Sequence, residues 1–425
     1  MIITFFINRP PPFVGGLQNV CLKVAKHFQE SAGARVRIIG FPDQDNSGSR
    51  RSWEHEGVEV QELRRGRRED LLLCWVPFLK KRRATLPLAI ACYEWAYSRQ
   101  ISRFCHGSSV FHYFGTGMEL NGYPVARAAR KIGAKFVIEP AIHAGTWGDT
   151  WLDTPLYRKA DLMLAHTDFE AGIIQNLGIQ KSKIRTIVHG VDFCDSGDGG
   201  RFRAKHGIAG PMVLFLGRKT REKGVGRLLE AWPMVAEKFS EATLVIAGPK
   251  SEDLRPMADG TWRMVDAGAA EPPRTDSGWL IAHSAGGAKA LDAGRSTLDT
   301  APKARVLNLD DLSEGEKQDA LPACDLLCVP SEGESFGMVY LEAWAYKKPV
   351  VALDLPVLRE MIERHGGGLL CKLEPSDIAE SLIRLLGNSA LQKTMGTQGY
   401  AVAQQHDWPK ALESYSIFYQ EFIRF

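Results

Sequence analysis

Two cations and a glycine occur in the turn between an apolar strand pattern and the helical pattern that follows it. In the segment LFLGRKTREKGVGRLLEAW, Arg218 directly follows Gly217, and Lys223 with Gly224 opens the helix. Cations beside a helix N-terminus can hold a diphosphate through charge-assisted hydrogen bonds, and the positive end of the helix dipole adds to the attraction. The segment is not a Walker P-loop, because GxxxxGK[ST] is absent. A solvated basic turn explains these residues equally well when they are taken alone.

Two glutamates flank the start of a later helical pattern in the stretch CDLLCVPSEGESFGMVYLEAWAYKKPVVA. Glu334 falls in the turn after an apolar strand, and Glu342 follows it with seven residues between them. A carboxylate in such a turn can accept hydrogen bonds from sugar hydroxyls, and the N–H groups of Phe336, Gly337 and Met338 can face an anion. Glu342 lies among apolar residues and therefore needs a partner. The alternative is a half-exposed glutamate on an ordinary helix.

Two weaker signals come from the first half of the chain. Gly15 and Gly16 follow the first strand pattern and open the first helix, where glycines allow a ligand to approach the backbone closely. His143 lies in FVIEPAIHAGTW, directly after another strand. A plain turn and a structural histidine are the alternatives for these two features, although a position at a strand end favours a functional histidine.

Alternating strands and helices are expected to position these residues. The clearest helical face runs from Leu17 to Phe28, with apolar residues at i, i+3, i+4, i+7, i+8 and i+11. Such alternation predicts α/β domains with parallel sheets, in which ligands bind beyond the carboxyl ends of the strands. The predicted strands are 2–7, 35–41, 71–76, 109–114, 135–139, 162–165 and 184–188, then 212–216, 243–247, 305–309, 326–329, 350–353 and 368–371.

The two series of strands predict two doubly wound, Rossmann-like domains that face a cleft. We place the first domain at residues 1–195 and the second at residues 196–408, with a polar DSGDGG linker between them. A Gly-, Ala- and Pro-rich stretch at about 250–302 breaks the rhythm and is interpreted as an insertion. The apolar pattern over 409–425 predicts a C-terminal helix.

Composition excludes several classes of protein. The 425 residues are 44% hydrophobic and 24% charged, which is typical of a globular chain and not of a disordered or collagen-like one. No apolar run reaches the roughly 18 residues that a membrane span needs, and no signal peptide is recognised, so we expect a cytoplasmic protein. The eight cysteines form no CxxC and no metal spacing. Asp43 and Asp45, the one DxD, are interpreted as a solvated turn; no metal and no cofactor is expected.

Charge is unevenly distributed along the chain. Residues 1–205 carry 29 Lys/Arg against 20 Asp/Glu, and the remainder carries 24 against 30. The densest basic stretch, Arg64–Arg83, has eight cations and two acids around the apolar run LLLCWVPFL. It is interpreted as a buried strand between solvated loops or, alternatively, as a surface attracted to an anionic membrane. Nucleic acid is not an expected partner, since no recognition motif accompanies the charge.

The whole chain resembles a GT-B glycosyltransferase of family 4, the retaining type that uses nucleotide sugars. The signature residues are Gly217-Arg218, Lys223-Gly224 and Glu334-Ser335-Phe336-Gly337 with Glu342, supported by Gly15-Gly16, His143, ADLMLAHTDFE and HGVD. The sequence departs from the family pattern at His189, where an asparagine is usual, and at Lys347, where a glycine is usual. We expect these changes to affect the end of the interdomain strand and the end of a helix.

The resemblance implies a role for each residue. Arg218 and Lys223 would bind the donor diphosphate, and Glu342 the ribose hydroxyls. Glu334 would contact the sugar, with its neighbours Ser335 to Met338 supplying further donor contacts. His143 would lie near the sugar carbon, and Gly15 and Gly16 near the phosphates. The C-terminal helix would return to the first domain.

The reaction implied is transfer of a hexosyl-type group from a nucleoside diphosphate sugar to a hydroxyl of a glycan, a polysaccharide or a lipid-linked acceptor, with retention of configuration. Two alternatives stay open. One is a catalytically degenerate protein that binds a nucleotide sugar or a membrane surface without transfer. The other is a sugar-nucleotide epimerase on the same fold, because fold alone does not fix function. Peripheral association with the inner membrane face is a further expectation.

Overall fold

A computed structural model describes residues 1–13, 15–31, 33–42, 52–193, 196–249, 254–256, 262–264, 282–283 and 305–423. The chain forms two compact units. Unit 1 comprises residues 1–190 and 408–425, and unit 2 comprises residues 191–407. The division thus falls five residues before the boundary expected at 195, and the C-terminal segment belongs to unit 1.

Unit 1 is built on an eight-stranded sheet with the order β3-β4-β2-β1-β5-β6-β7-β8. Its strands pair in parallel, except that β3 runs antiparallel to β4. Residues 3–7 of the central strand are buried without interruption, as expected of a strand covered on both faces. The strands are β1 (Ile2–Asn8), β2 (Arg35–Phe41), β3 (Ser52–His55), β4 (Val58–Glu62), β5 (Val110–Phe114), β6 (Lys135–Glu139), β7 (Leu162–Ala165) and β8 (Ile184–Thr186).

Unit 2 is built on a seven-stranded parallel sheet with the order β13-β14-β10-β9-β15-β16-β17, beside a β11-β12 ribbon. Residues 243–247 and 350–353 are buried throughout their strands. The strands are β9 (Met212–Leu216), β10 (Thr243–Ala247), β11 (Leu254–Pro256), β12 (Trp262–Met264), β13 (Ala282–His283), β14 (Arg305–Leu309), β15 (Leu326–Val329), β16 (Val350–Leu353) and β17 (Gly368–Cys371).

Helices connect these strands. Unit 1 contains α1 (Gly16–Ser31), α2 (Arg67–Leu73), α3 (Val76–Leu79), α4 (Leu86–Phe104), α5 (Gly122–Ile132), α6 (Thr154–Tyr157) and α7 (Asp168–Asn176). Unit 2 contains α8 (Gly199–His206), α9 (Val225–Lys238), α10 (Glu314–Ala323), α11 (Met338–Ala345), α12 (Pro356–Leu358), α13 (Pro375–Leu386) and α14 (Ser389–Ala403). The last helix, α15 (Trp408–Ile423), packs on α1 in unit 1.

The expected α/β class with two doubly wound sheets is confirmed. The face predicted for the first helix is also confirmed, because Val20, Cys21, Val24, Ala25 and Phe28 are all buried in α1. The predicted insertion at 250–302 and the Asp43-Gln44-Asp45 turn lie outside the described residues, apart from the short strands β11 to β13.

One strand prediction is wrong. Residues 71–76 are not a buried strand but belong to α2 and α3, with Leu71 and Trp75 exposed. The sequence analysis did not predict β3 and β4, which form the edge of the sheet beyond β2. The polar linker expected at 195–200 is also shorter than predicted, because Gly199 already begins α8.

The two departures from the family pattern have identifiable structural settings. Lys347 follows α11 with φ of 57°, a left-handed conformation that glycine adopts at low cost. Its ammonium group lies 4.8 Å from the centre of the Tyr400 ring. His189 is buried, and its ring centre is 3.9 Å from that of His166. At the position where the family usually has glycine, Lys347 therefore adopts the left-handed conformation that glycine would adopt.

Candidate functional site

The sheet of unit 2 reverses its direction of winding between two strands. From β9 the chain moves to β10 and then β14 on one side, whereas β15 pairs on the other side of β9. A crevice opens beyond the carboxyl ends of strands at such a switch point, and ligands of open α/β sheets bind there. The loops after β9 and β15, together with α11, carry the predicted site residues of unit 2.

The loop after β9 needs a glycine where it meets the loop after β15. Gly224 has φ of 73°, and a Cβ atom placed on it would lie 1.9 Å from the carbonyl oxygen of Pro330. The N–H group of Glu332 also donates to the carbonyl of Glu222 at 2.8 Å. Any larger residue at 224 would force these loops apart.

The close approach of these loops brings two predicted residues together. Lys223 Nζ lies 2.6 Å from Glu334 Oε1, and the two side chains are 20% and 7% exposed. This distance is that of a strong charge-assisted hydrogen bond. The pair holds a half-buried cation and a buried carboxylate beyond the carboxyl ends of β9 and β15.

The start of α11 follows Glu334 closely in the sequence. Gly337 precedes the helix with φ of 86°, and Phe336 before it is buried. Ser335 and Met338 are partly buried. The first N–H groups of the helix have no partner within the helix, so they supply donors for an anion beside Lys223.

Arg218 is placed after β9 but outside this ion pair. Its side chain is exposed, while the next residue, Lys219, is buried and donates from Nζ to the carbonyl of Leu309. The structure therefore brings together Lys223 and Glu334 and leaves Arg218 at the surface of the same loop.

Glu342 has a partner that the sequence did not reveal. Lys317 Nζ, on α10, lies 2.7 Å from Glu342 Oε1, and the two side chains are 22% and 23% exposed. Burial raises the pKa of Glu342, while the charge and hydrogen bond of Lys317 lower it; the net direction is upward from 4.5. Lys317 lies one turn into α10, the helix that follows β14. This position after a strand is the only feature of the sequence that points to Lys317.

The remaining predicted residues lie in unit 1. Gly15 precedes α1, and Gly16 is its first residue, so both follow the carboxyl end of β1. His143 follows β6; its Nδ1 lies 3.2 Å from the carbonyl oxygen of Ala141, and its ring is 4.0 Å from the Trp147 ring. The carbonyl oxygen can only accept, so Nδ1 is the donor in this contact.

Unit 1 also contains a buried polar network centred on Glu139. Its carboxylate lies 3.0 Å from His166 Nε2 and 3.2 Å from His112 Nε2, and it accepts hydrogen bonds of 3.0 Å from the Tyr415 hydroxyl. Burial opposes ionisation of Glu139, but the hydrogen bonds and charges of the two imidazoles outweigh burial and lower its pKa.

Part of this network has the composition of a metal site. Glu139, His166 and His189 bring ligand atoms within 4.8 Å of one another, and no other such group of three occurs in the part of the chain that the structure describes. Both Glu139 oxygens already accept hydrogen bonds from protein donors, so this carboxylate is satisfied without an ion. We interpret the group as a structural network.

The comparisons with known proteins agree with the architecture. Residues 288–402 match the family model of "Glycosyl transferases group 1". Over 206 residues the chain is 30% identical to a phosphatidyl-myo-inositol mannosyltransferase of Mycobacterium tuberculosis, covering 47% of this chain and 44% of that protein. The match thus spans less than half the length of this curated relative.

Solved structures match nearly the whole chain at low identity. Sucrose-phosphate synthase from Thermosynechococcus elongatus superposes with a TM-score of 0.67 and 16% identity, over 99% of each chain. Anabaena Alr3699/HepE in complex with UDP also gives a TM-score of 0.67 at 16% identity, over 99% of this chain and 100% of that one. The chain therefore has the GT-B fold, and its resemblance to GT-B glycosyltransferases is confirmed.

None of the helices in the described ranges combines the length and apolar character needed to cross a bilayer.

Proposed function

We propose that this GT-B protein transfers a hexosyl-type group from a nucleoside diphosphate sugar to an acceptor hydroxyl, with retention of configuration. The observation that carries the proposal is the 2.6 Å contact of Lys223 with Glu334 at the switch point of the unit 2 sheet. A cation, a carboxylate and the start of α11 occur together there, and a sugar diphosphate needs all three kinds of group.

In this proposal, Lys223 and Arg218 bind the diphosphate together with the first N–H groups of α11. Negative charge grows on the leaving diphosphate as the glycosidic bond breaks. Cations and helix dipoles that are already in position stabilise this charge without reorganisation. Glu334 keeps Lys223 in place and retains an oxygen to accept a hydrogen bond from a sugar hydroxyl.

The nucleoside end of the donor is assigned to Glu342. Its carboxylate would accept hydrogen bonds from the ribose hydroxyls, while Lys317 favours the ionised form that does so. The UDP complex of a structural relative supports a nucleoside diphosphate as ligand, and the mannosyltransferase relative supports a hexosyl group and a lipid-linked acceptor. His143 stays a proposed contact of the transferred sugar.

Nucleotide-dependent thermal stability tests the donor site. We expect UDP, GDP or ADP to raise the melting temperature of the wild-type protein, since a ligand at about 100 times its Kd adds about 2.7 kcal/mol, or a few degrees. Lys223→Met should abolish the increase. Lys205→Met is the matched control, because Lys205 Nζ also lies 2.6 Å from a glutamate, Glu316, but on an exposed surface. Equal responses of both variants would place the diphosphate elsewhere.

Product analysis tests the reaction itself. The protein is incubated with the stabilising nucleotide's sugar and candidate acceptors, and the anomeric configuration of the product is read by NMR. A product with the donor's configuration supports retaining transfer. Nucleotide binding without a product supports the degenerate alternative, and conversion of the donor sugar without acceptor supports an epimerase.

A further inference from the structure

A cavity of about 540 Å³ opens on unit 1 between the ends of two neighbouring helices. The helix α4 packs along α5, and the cavity lies where both helices end, before β5 and β6 begin. Its volume is in the range of small-molecule sites. The lining residues are Arg99, Ser102, Arg103, His106, Gly107, Lys131 and Ile132.

This cavity is at the opposite edge of the sheet from the proposed sugar-transfer residues of unit 1. Gly107 precedes β5 and Ile132 precedes β6, so the cavity is beside the amino ends of these strands. Gly15 and His143 follow the carboxyl ends of β1 and β6. Because β1, β5 and β6 run in parallel, the two places are separated by the length of the strands. A ligand of this cavity is therefore distinct from the sugar that His143 is proposed to contact.

The lining of the cavity is strongly basic. Arg99, Arg103 and Lys131 are exposed, and in the ranges that the structure describes none of the three forms an ion pair with an acid. Glu94, also on α4, is already held by Arg127 at 3.0 Å. His106 adds an exposed imidazole ring, which offers a further N–H donor. Three full positive charges are thus left without a carboxylate.

Helix ends explain only part of this charge. Cations in the last turn of a helix are ordinary, because the C-terminus carries roughly half a negative elementary charge. Arg103 lies in the last turn of α4, and Lys131 lies in that of α5. The two ends together offset only about one of the three lining cations. Arg99 lies four residues before Arg103, and like charges at this spacing lower the stability of a helix. An anion in the cavity would relieve this repulsion.

We propose that the cavity binds a small soluble anion of the polyphosphate class, either an inorganic polyphosphate or a metabolite with several phosphate groups. A guanidinium group can bind phosphate oxygens through two parallel hydrogen bonds, and an ammonium group adds a compact charge. The cations line a concave space that opens between two helix ends, which suits a compact anion better than an extended surface. The proposal concerns unit 1 and holds whether or not the protein transfers a sugar.

Isothermal titration calorimetry of the full chain with tripolyphosphate tests the site. Because the proposed donor site can also take a polyphosphate, the titration is done in Lys223→Met as well as in the wild type, and we expect binding in both. Adding Arg103→Gln with Lys131→Gln to Lys223→Met should weaken that binding at least about tenfold, since losing even one hydrogen bond to a charged group has an effect of this size.

A second pair of substitutions controls for general charge attraction. Arg127→Gln with Arg130→Gln removes the same charge from the exposed surface of α5, but neither residue lines the cavity. In the Lys223→Met background this pair should leave the affinity for tripolyphosphate nearly unchanged. Circular dichroism melts check that each variant folds.

Hydrogen exchange read by mass spectrometry locates the ligand. Tripolyphosphate should slow exchange in peptides that cover residues 99–107 and 128–133, and the substitutions at Arg103 and Lys131 should remove this protection. Loss of all binding in Lys223→Met would assign the anion to the donor site and overturn the proposal. Equal weakening by the two pairs of substitutions would show attraction to a basic surface and overturn it as well, as would protection confined to other peptides.

Discussion

The ionisation of Glu342 is favoured by one neighbouring cation, Lys317. Burial disfavours the ionised form of its carboxyl group, whereas Lys317, which lies 2.7 Å away, favours that form. A ligand that donates hydroxyl hydrogen bonds binds the ionised form better than the protonated form. The affinity for a nucleotide should therefore fall as the pH drops through the raised pKa of Glu342.

Lys317→Met should move this fall to higher pH. Loss of the cation removes both effects that lower the pKa of Glu342, so its carboxylate protonates earlier on acidification. Calorimetric titration of the nucleotide from about pH 5 to about pH 8 measures the midpoint. Lys205→Met, which removes a lysine from an exposed pair with Glu316, should leave the midpoint in place. An unchanged midpoint in Lys317→Met would remove Glu342 from the ligand site.

At the scale of elements, Glu139 joins parts of unit 1 that are distant in the chain. It ends β6, and its contacts come from His112 on β5, His166 after β7 and Tyr415 on α15. Tyr419, also on α15, lies 2.7 Å from the other nitrogen of His112. The network thus connects three neighbouring strands of the sheet with the last helix.

Glu139→Gln should destabilise the protein by about 3–5 kcal/mol, because it breaks a buried pair and leaves imidazole groups without their carboxylate. Chemical denaturation measures the change. Glu94→Gln is the matched control: Glu94 pairs with the exposed Arg127 at 3.0 Å, and such surface pairs contribute about 0–1 kcal/mol.

The stability lost in Glu139→Gln should also depend on pH. The pKa of Glu139 is lowered in the folded protein, so its stabilising contribution is present above about 4.5, the ordinary glutamate value, and is lost as the pH falls. The difference between wild type and variant should therefore shrink on acidification. Equal losses for Glu139→Gln and Glu94→Gln at neutral pH would show that the network adds no stability.

Most strands and the site loops could be predicted from the sequence, because buried parallel strands are short apolar runs between helical patterns. Residues 71–76 were mistaken for such a run. Leu71 and Trp75 lie on the exposed side of a helical segment, and Leu73 and Val76 on its buried side. An apolar run without polar interruption does not distinguish such a segment from a buried strand. The strand β3, with sequence SWEH, alternates exposed and half-buried residues at the sheet edge and has too few apolar residues to be recognised.

The contacts between the predicted residues could be foreseen only in part. Lys223 and Glu334 both follow strands, and the switch point explains why they meet. Lys317 could not be connected with Glu342 from sequence, since the contact depends on how α10 packs beside α11. The Glu139 network was missed for the same reason: its members come from five separate segments.

At the scale of the whole molecule, unit 1 depends on the end of the chain. Trp408, Ala411, Tyr415 and Tyr419 are all buried in α15, and the Tyr419 ring lies 4.5 Å from that of Phe28. Losing each large aromatic side chain from a core costs about 3–5 kcal/mol. Together these losses approach the total stability of a typical domain, about 5–15 kcal/mol.

A chain ending at Asp407 should therefore lose the fold of unit 1 while unit 2 stays folded. Limited proteolysis with mass spectrometry should give a resistant fragment within residues 191–407 and rapid cleavage before residue 190. The Ile417→Ser variant, altered on the exposed side of α15, should resist proteolysis like the wild type. A truncated chain with protection over both units would contradict this account of α15.

The division of unit 1 into two pieces of chain also sets the order in which the protein can mature. When the ribosome has released residues 1–190, Glu139 and its histidines have been made, but Tyr415 and Tyr419, which complete their surroundings, are made only after unit 2. Unit 1 cannot complete the core around Glu139 until the more than two hundred residues of unit 2 have also been synthesised. The second half can fold first, so the order of folding is expected to be the reverse of the order of synthesis.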